Sequence, residues 1–175
     1  VSDSSLSQTD TVSITVNPKP NSAPTVDAGA DQDVYEGAAV QLHATASDPD
    51  SDPLNYTWTQ PAGLPVVLSG SATADASFTA PVVSTVAQAG LTFTCTVSDG
   101  KGGTAGDSVN VRVYMLGDTN RDDSVDVADL LTFADAWGSV LGDADYDVAC
   151  DFNADGSVDV ADLLTLADNW GRTLN

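Results

Sequence analysis

Apolar and polar residues alternate through Leu91-Thr92-Phe93-Thr94-Cys95-Thr96-Val97. A period of two places Leu91, Phe93, Cys95 and Val97 on one face of a strand and the threonines on the other. The stretch Ser108-Val109-Asn110-Val111-Arg112-Val113-Tyr114 alternates in the same way. From residue 24 to 114, short runs rich in Val, Thr and aromatics are separated by clusters of Gly, Pro, Asp and Ser, the pattern of a β-sandwich with about seven strands. Val40, Leu42, Tyr56, Trp58, Phe78, Val109, Val111 and Val113 complete its expected core.

Beyond residue 117 the period changes. Val127, Leu130, Leu131, Ala134 and Trp137 recur at spacings of three and four, and so do Val160, Leu163, Leu164, Ala167 and Trp170. Each set marks one apolar face of a helix, and Gly138 and Gly171 end the two helices. A stripe of this kind serves one of two purposes. Val127 and Val160 either pack the helices together or face a partner.

The two helices belong to a duplication. Residues 118–138 and 151–171 share their sequence except at Thr119/Phe152, Arg121/Ala154, Asp123/Gly156, Phe133/Leu166 and Ala136/Asn169. Each copy opens on oxygen-bearing residues at positions 1, 3, 5, 9 and 12 of a twelve-residue loop, the spacing that wraps one hard cation in oxygens. In the first loop Asp118, Asn120 and Asp122 offer side-chain oxygens, and Ser124 offers its backbone carbonyl. Asp126 reaches the ion through a water, and Asp129 closes the shell from the first turn of the helix. In the second loop Asp151, Asn153, Asp155, Ser157, Asp159 and Asp162 take the same roles. An all-oxygen, flexible ligand set predicts two Ca2+ ions rather than zinc, copper or magnesium. Position 6, which turns with positive φ, is Gly156 in one loop and Asp123 in the other, so the first loop is expected to be the weaker. A further acidic run, Asp48, Asp50 and Asp52, with Asp99, is a candidate for a third Ca2+, although turn formation accounts for the same residues.

Charge and composition narrow the partners. The chain carries 26 acidic against 5 basic residues, a formal net charge of −21, which argues against nucleic acid and against anionic membrane surfaces. No apolar run approaches membrane-spanning length, so no membrane insertion is expected, and the chain is read as monomeric. Cys95 and Cys150 fall in different parts of the chain and are not expected to pair. His43 is the single histidine, and no Ser or Cys nucleophile has an evident base beside it, so no catalytic residue is assigned and the chain is not read as an enzyme.

The tandem Asp-x-Asn-x-Asp-x-Ser-Val-Asp-x-x-Asp-Leu-Leu pattern, preceded by a strand and not by an entering helix, resembles a dockerin, a secreted bacterial module of two half EF-hands. The resemblance covers Gly117 to about Arg172. It implies a small all-α unit of two calcium loop-helix elements related by pseudo-twofold symmetry, and docking onto a cohesin-like protein domain. The corresponding partner-contact positions here are Val127, Ala128, Ala134 and Asp135 in the first copy, and Val160, Ala161, Ala167 and Asp168 in the second. They are more apolar and acidic than is usual for cellulosomal dockerins. Near-identity of the copies implies that a partner can dock in either of two orientations.

The phrases Ala23-Pro24-Thr25-Val26-Asp27-Ala28-Gly29, Val34-Tyr35-Glu36-Gly37, Ala46-Ser47-Asp48-Pro49-Asp50 and Val97-Ser98-Asp99-Gly100 resemble a polycystic-kidney-disease-like (PKD-like) domain, an Ig-like sandwich. Domains of this kind serve as spacers or adhesion modules in secreted bacterial proteins, and polysaccharide degradation is one setting open to such a protein. The expected organisation is the end of a preceding Ig-like repeat at 1–17, a proline-rich linker at 18–23, the Ig-like domain at 24–115, and the dockerin-like module at 116–175. Almost nothing separates Val113 from Asp118, so the last two are expected to touch and hold a fixed orientation. Two readings of the whole follow: an extracellular docking module presented by a spacer, or a calcium-stabilised cap on an adhesive stalk without a cohesin partner.

Overall fold

The computed structural model describes residues 11–175. The first ten residues of the expected preceding repeat lie outside that range. Val12, Ile14 and Val16 stand exposed without regular structure.

Eight strands lie between Thr25 and Tyr114: β1 (Thr25–Asp27), β2 (Gln32–Tyr35), β3 (Ala39–His43), β4 (Thr45–Ser47), β5 (Asn55–Ala62), β6 (Asp75–Thr79), β7 (Gly90–Ser98) and β8 (Thr104–Tyr114). The order β2-β8-β7-β5 makes one four-stranded sheet, with β2 parallel to β8 and the other pairs antiparallel. Opposite it, β3 pairs with β6 and β4 with β1. Only Ala44 separates β3 from β4, so one extended segment changes partner along its length.

The core lies between these layers. Leu91, Phe93, Cys95 and Val97 are all buried, as their alternation requires, and face Val40, Leu42, Ala76 and Phe78 of the opposite layer. The rings of Phe78 and Phe93 meet at 4.7 Å between centroids. Trp58, on β5 beside Cys95, is buried and donates its indole N–H to the Thr73 carbonyl at 3.2 Å. Tyr56 is only partly buried. The β5–β7 register shifts between Thr59 and Ala62, around Pro61, which has no N–H for the ladder. There Gln60 binds the Leu64 carbonyl and the Val66 amide and closes the following loop.

Among the described residues three helices complete the fold: the short α1 (Val86–Ala89) before β7, then α2 (Val127–Ala136) and α3 (Val160–Asp168). A second apolar cluster, of Phe133, Ala136, Cys150, Val158 and Leu166, holds α2 and α3 together. Cys95 and Cys150 are unpaired and buried in the two separate clusters. Among the described residues no helix is long and apolar enough to cross a membrane.

The C-terminal residues are not appended loosely. Val125 and Leu174 join the core cluster of the sandwich. Glu36, buried at the end of β2, accepts two hydrogen bonds from Arg172 at 2.7 Å and one from the Val83 amide at 2.7 Å. Arg172 also reaches the Val83 carbonyl. Arg121 stacks over Tyr114, its guanidinium 5.1 Å from the ring centroid, and the Tyr35 hydroxyl donates to the Asp118 carbonyl at 3.1 Å. The expected contact between the two parts is therefore present and specific.

Candidate metal centre

The two loops fold alike because their short polar side chains bind their own backbone. In the first, Asp118 accepts from the amides of Asp122 and Asp123, Asn120 from Asp122, and Asp122 from Ser124, at 3.0–3.1 Å. In the second, Asp151 accepts from Asp155 and Gly156, Asn153 from Asp155, and Asp155 from Ser157, at 2.9–3.2 Å. The turn at position 6 has the expected left-handed backbone in both, φ 70° at Asp123 and 88° at Gly156. Position 4 is left-handed as well, at Arg121 and Ala154, which the residue types did not announce.

Each helix starts on a capping box. Asp126 and Asp159 cap the amides of Ala128 and Ala161, while Asp129 and Asp162 reach back to the amides of Asp126 and Asp159. The other oxygen of Asp129 accepts from the amides of Thr119 and Asn120, and that of Asp162 from Phe152 and Asn153. A single carboxylate therefore ties the start of each loop to the start of its helix. Both Asp129 and Asp162 are fully buried.

This tie fixes how each helix is rotated, and it leaves most of the apolar stripe outside the core. With Asp129 turned into the loop, the residues one and two turns on, Phe133 and Ala136, face inward. The stripe read from the spacing points elsewhere: Val127 is 61% exposed, Leu131 64% and Trp137 51%. In α3, Asp162 and Leu166 are buried, while Val160, Leu164 and Trp170 are exposed. Val127 and Val160 thus do not pack the helices together. Leu130 and Leu163 meet between the helices and line two adjoining shallow grooves, one ending at Trp137 and the other at Trp170. Of the remaining predicted contact residues, Ala134, Asp135, Ala161, Ala167 and Asp168 are exposed and Ala128 is half-buried.

The copies are joined reciprocally. Val125 of the first loop exchanges hydrogen bonds with Gly171 and Arg172 after α3, and Val158 of the second exchanges them with Gly138 and Ser139 after α2, all at 2.8–2.9 Å. Equivalent residues thus make equivalent contacts across a pseudo-twofold axis.

The donor set suits a hard divalent ion. Carboxylate oxygens of Asp118, Asp122 and Asp129 lie within 4.8 Å of one another, a separation that oxygens sharing one ion at 2.3–2.6 Å can have. Burial, with Asp129 and Asp122 adding repulsion, pushes the Asp118 carboxyl up to about 6. Asp118 and Asp129 are buried and Asp122 is exposed, an arrangement that a divalent cation would fit. Asn120 and Ser124 stand at the same turn, with Asp126 exposed at its edge. In the second loop the three carboxylates are not gathered as closely, and the Tyr146 hydroxyl donates to Asp151 Oδ2 at 2.7 Å. This bond is the main reason the Tyr146 phenol is pushed up to about 12. Asp123 at position 6 is not left to bear its strain alone: its carboxylate pairs with Arg112 of β8, and its carbonyl accepts from the Leu174 amide.

The fold and its loops define an Ig-like sandwich joined to a paired, acidic loop-helix segment. Residues 28–113 match the family model described as K319L-like, PKD domain, and this part of the chain is a PKD-like domain. Chitinase A of Pseudoalteromonas piscicida is 37% identical over 112 residues, covering 57% of this chain and 13% of that protein. The chain thus spans a small part of that relative's length. Among solved structures, a nucleoside hydrolase-related hypothetical protein from Saccharophagus degradans associated with carbohydrate metabolism aligns at 24% identity, covering 53% of this chain and 26% of that one, with TM-score 0.47. Drosophila N-cadherin EC1-4 aligns at 13% identity, 56% and 26% coverage and TM-score 0.46.

Proposed function

We propose that residues 116–175 are a calcium-dependent docking module of dockerin type, presented by the PKD-like domain of an extracellular multidomain protein. The observation that carries this reading is the exposed apolar face of α2 and α3. Large apolar side chains stand exposed on both helices, among them Leu131 and Leu164, and Trp137 and Trp170 end the grooves that Leu130 and Leu163 line; exposed apolar surface of this kind marks an interaction site. It lies on the two elements whose rotation the loop carboxylates fix, so an ion in each loop would hold that face in shape. The occupant is a cohesin-like protein domain, a choice that rests on the resemblance of the duplicated motif. Reciprocal contacts between the copies present nearly the same face after a half-turn, which favours two docking orientations.

The role assigned to the sandwich is that of a spacer and not an enzyme. The exposed His43 of β3, the chain's single histidine, faces Asp75 of β6, and the carboxylates of the loops have a metal-binding use. The chitinase relative favours a secreted, polysaccharide-degrading setting, with any catalysis lying in another part of the protein.

A second reading has an observation of its own. Because Val125 and Leu174 are built into the core of the sandwich, the calcium loops also act as a stabilising cap. The two readings part in one experiment: a panel of cohesin-type domains presented to the immobilised chain in calcium and in EDTA. Calcium-dependent retention, lost in Leu131→Asp/Leu164→Asp and kept in part by either single variant, is the docking outcome. No retention of any member, with calcium still raising the melting temperature, is the cap outcome.

A further inference from the structure

The two loops share their ligand types but not the support of the first ligand. Asp118 and Asp151 each accept one amide on either oxygen, Oδ1 from position 5 and Oδ2 from position 6. At Asp151 a third donor arrives: the Tyr146 hydroxyl reaches Oδ2 at 2.7 Å, beside the Gly156 amide at 2.9 Å. A carboxylate oxygen accepts about two donors. Oδ2 of Asp151 is thereby filled, and the open acceptor site lies on Oδ1, whose donor among the described residues is the Asp155 amide at 3.2 Å. Asp118 has no such bias between its oxygens, since each takes one amide.

The third donor is built in from outside the duplication. Tyr146 precedes Asp151 by five residues, in the connector between the copies, and the residue five before Asp118 is Val113, buried in the core of the sandwich. The ring of Tyr146 packs against the apolar cluster that joins α2 and α3. Its amide donates to the Asp143 carbonyl at 3.3 Å, and beyond it the Cys150 amide closes a turn on the Asp147 carbonyl at 2.9 Å. Packing and a turn on either side therefore hold the hydroxyl at its oxygen. The first loop has a phenol as well, but Tyr35 reaches the main-chain carbonyl of Asp118. That bond fixes backbone and leaves the carboxylate free to turn.

We infer that Tyr146 is a positioning residue of the second loop: by occupying Oδ2 it leaves Oδ1 of Asp151 to a calcium ion, and the second loop fills before the first. This rests on the calcium reading of the loops. A ligand carboxylate already held by outer hydrogen bonds has less freedom to lose on binding, and such bonds are worth about 10- to 100-fold in metal affinity. The relaxed turn at Gly156 works in the same direction as the phenol. Order of filling alone therefore does not single out Tyr146, and its hydroxyl has to be removed by itself.

The test is amide NMR of the full chain in chelator-buffered calcium, with the Gly156 amide reporting the second loop and the Asp123 amide the first. In the parent, Gly156 is expected to reach its midpoint at lower free calcium than Asp123. Tyr146→Phe removes the hydroxyl and keeps the ring in its cluster. It is expected to raise the Gly156 midpoint about 10- to 100-fold and to leave the Asp123 midpoint in place. A role in folding alone would move both midpoints or neither. An unchanged Gly156 midpoint overturns the inference, and so does a lowered one, which would make the phenol a competitor of the ion. No response of either loop in the parent removes the calcium reading and this inference with it, whereas two responsive loops with an unaltered ratio in Tyr146→Phe remove this inference alone. Should Tyr146→Phe not fold, the parent decides: the ring resonances of Tyr146 are expected to move with the Gly156 midpoint, and a ring that stays still or follows Asp123 overturns it.

Discussion

At the scale of single residues, the fifth and sixth positions of the loops show what a motif conveys and what it leaves to the fold. The spacing marks Asp118, Asp122, Asp129, Asp151, Asp155 and Asp162 as loop residues, and the fold brings carboxylate oxygens of the first three within 4.8 Å of one another. Arg112 was not legible as the partner of Asp123, since a strand residue met only through tertiary contact leaves no local signal. That pair makes a prediction. Gly156→Asp introduces a side chain at φ 88° with no arginine to hold it, and is expected to weaken calcium at the second loop by about 1–2 kcal/mol. Asp123→Gly, which trades the ion pair for a relaxed turn, is expected to stay within about 1 kcal/mol of the parent. Titration calorimetry of both variants checks the asymmetry, and equal losses would contradict it. Glu36 is the other residue that acts at a distance. Glu36→Ala leaves Arg172 and the Val83 amide without their shared acceptor, and is expected to cost about 3 kcal/mol in urea unfolding.

Among the elements, the strands bury the face their alternation marks, and the helices leave most of their apolar stripe exposed. β7 and β8 bury every second residue as read, since a sheet in a sandwich has one core face. For α2 and α3 the apolar spacing gave the helices but not their rotation. Asp129 and Asp162, polar residues outside the stripe, are the ones turned inward, and the stripe was left for another surface. This has a pH consequence. Without calcium, the Asp118 carboxyl is raised from 3.8 to about 6 in the folded state, chiefly by burial. Its contribution favours folding fully below about 3.8 and is lost as pH rises through about 6, on the order of 2–3 kcal/mol. In EDTA the melting temperature of the loop-helix segment is therefore expected to fall between pH 4 and pH 7. In saturating calcium the direction reverses, because protons then compete with the ion for the same carboxylates. Scanning calorimetry across that range distinguishes the two slopes, and parallel slopes would contradict the assignment of Asp118 as a ligand.

For the molecule as a whole, the contact between the sandwich and the loops was expected from the short connection, but its chemistry was not. The chain uses Arg112, Arg121 and Arg172, three of its five basic residues, at this junction. Val125 and Leu174 carry the core of the sandwich into the C-terminal segment. Occupied loops should therefore stabilise the whole chain, and Val125→Ala, which opens a cavity in shared core, is expected to lower the melting temperature of both parts in one transition, at a cost of about 1–3 kcal/mol. Two separated transitions would mean that the parts fold independently. The central claim, that the duplicated loops are calcium sites that hold the helices in place, is tested most directly by a calcium titration followed by amide NMR on the full chain. The amides of Asp123 and Gly156, which donate to Asp118 and Asp151, are predicted to shift and saturate together with the resonances of α2 and α3. Amides in both loops that stay unmoved up to millimolar calcium would contradict it.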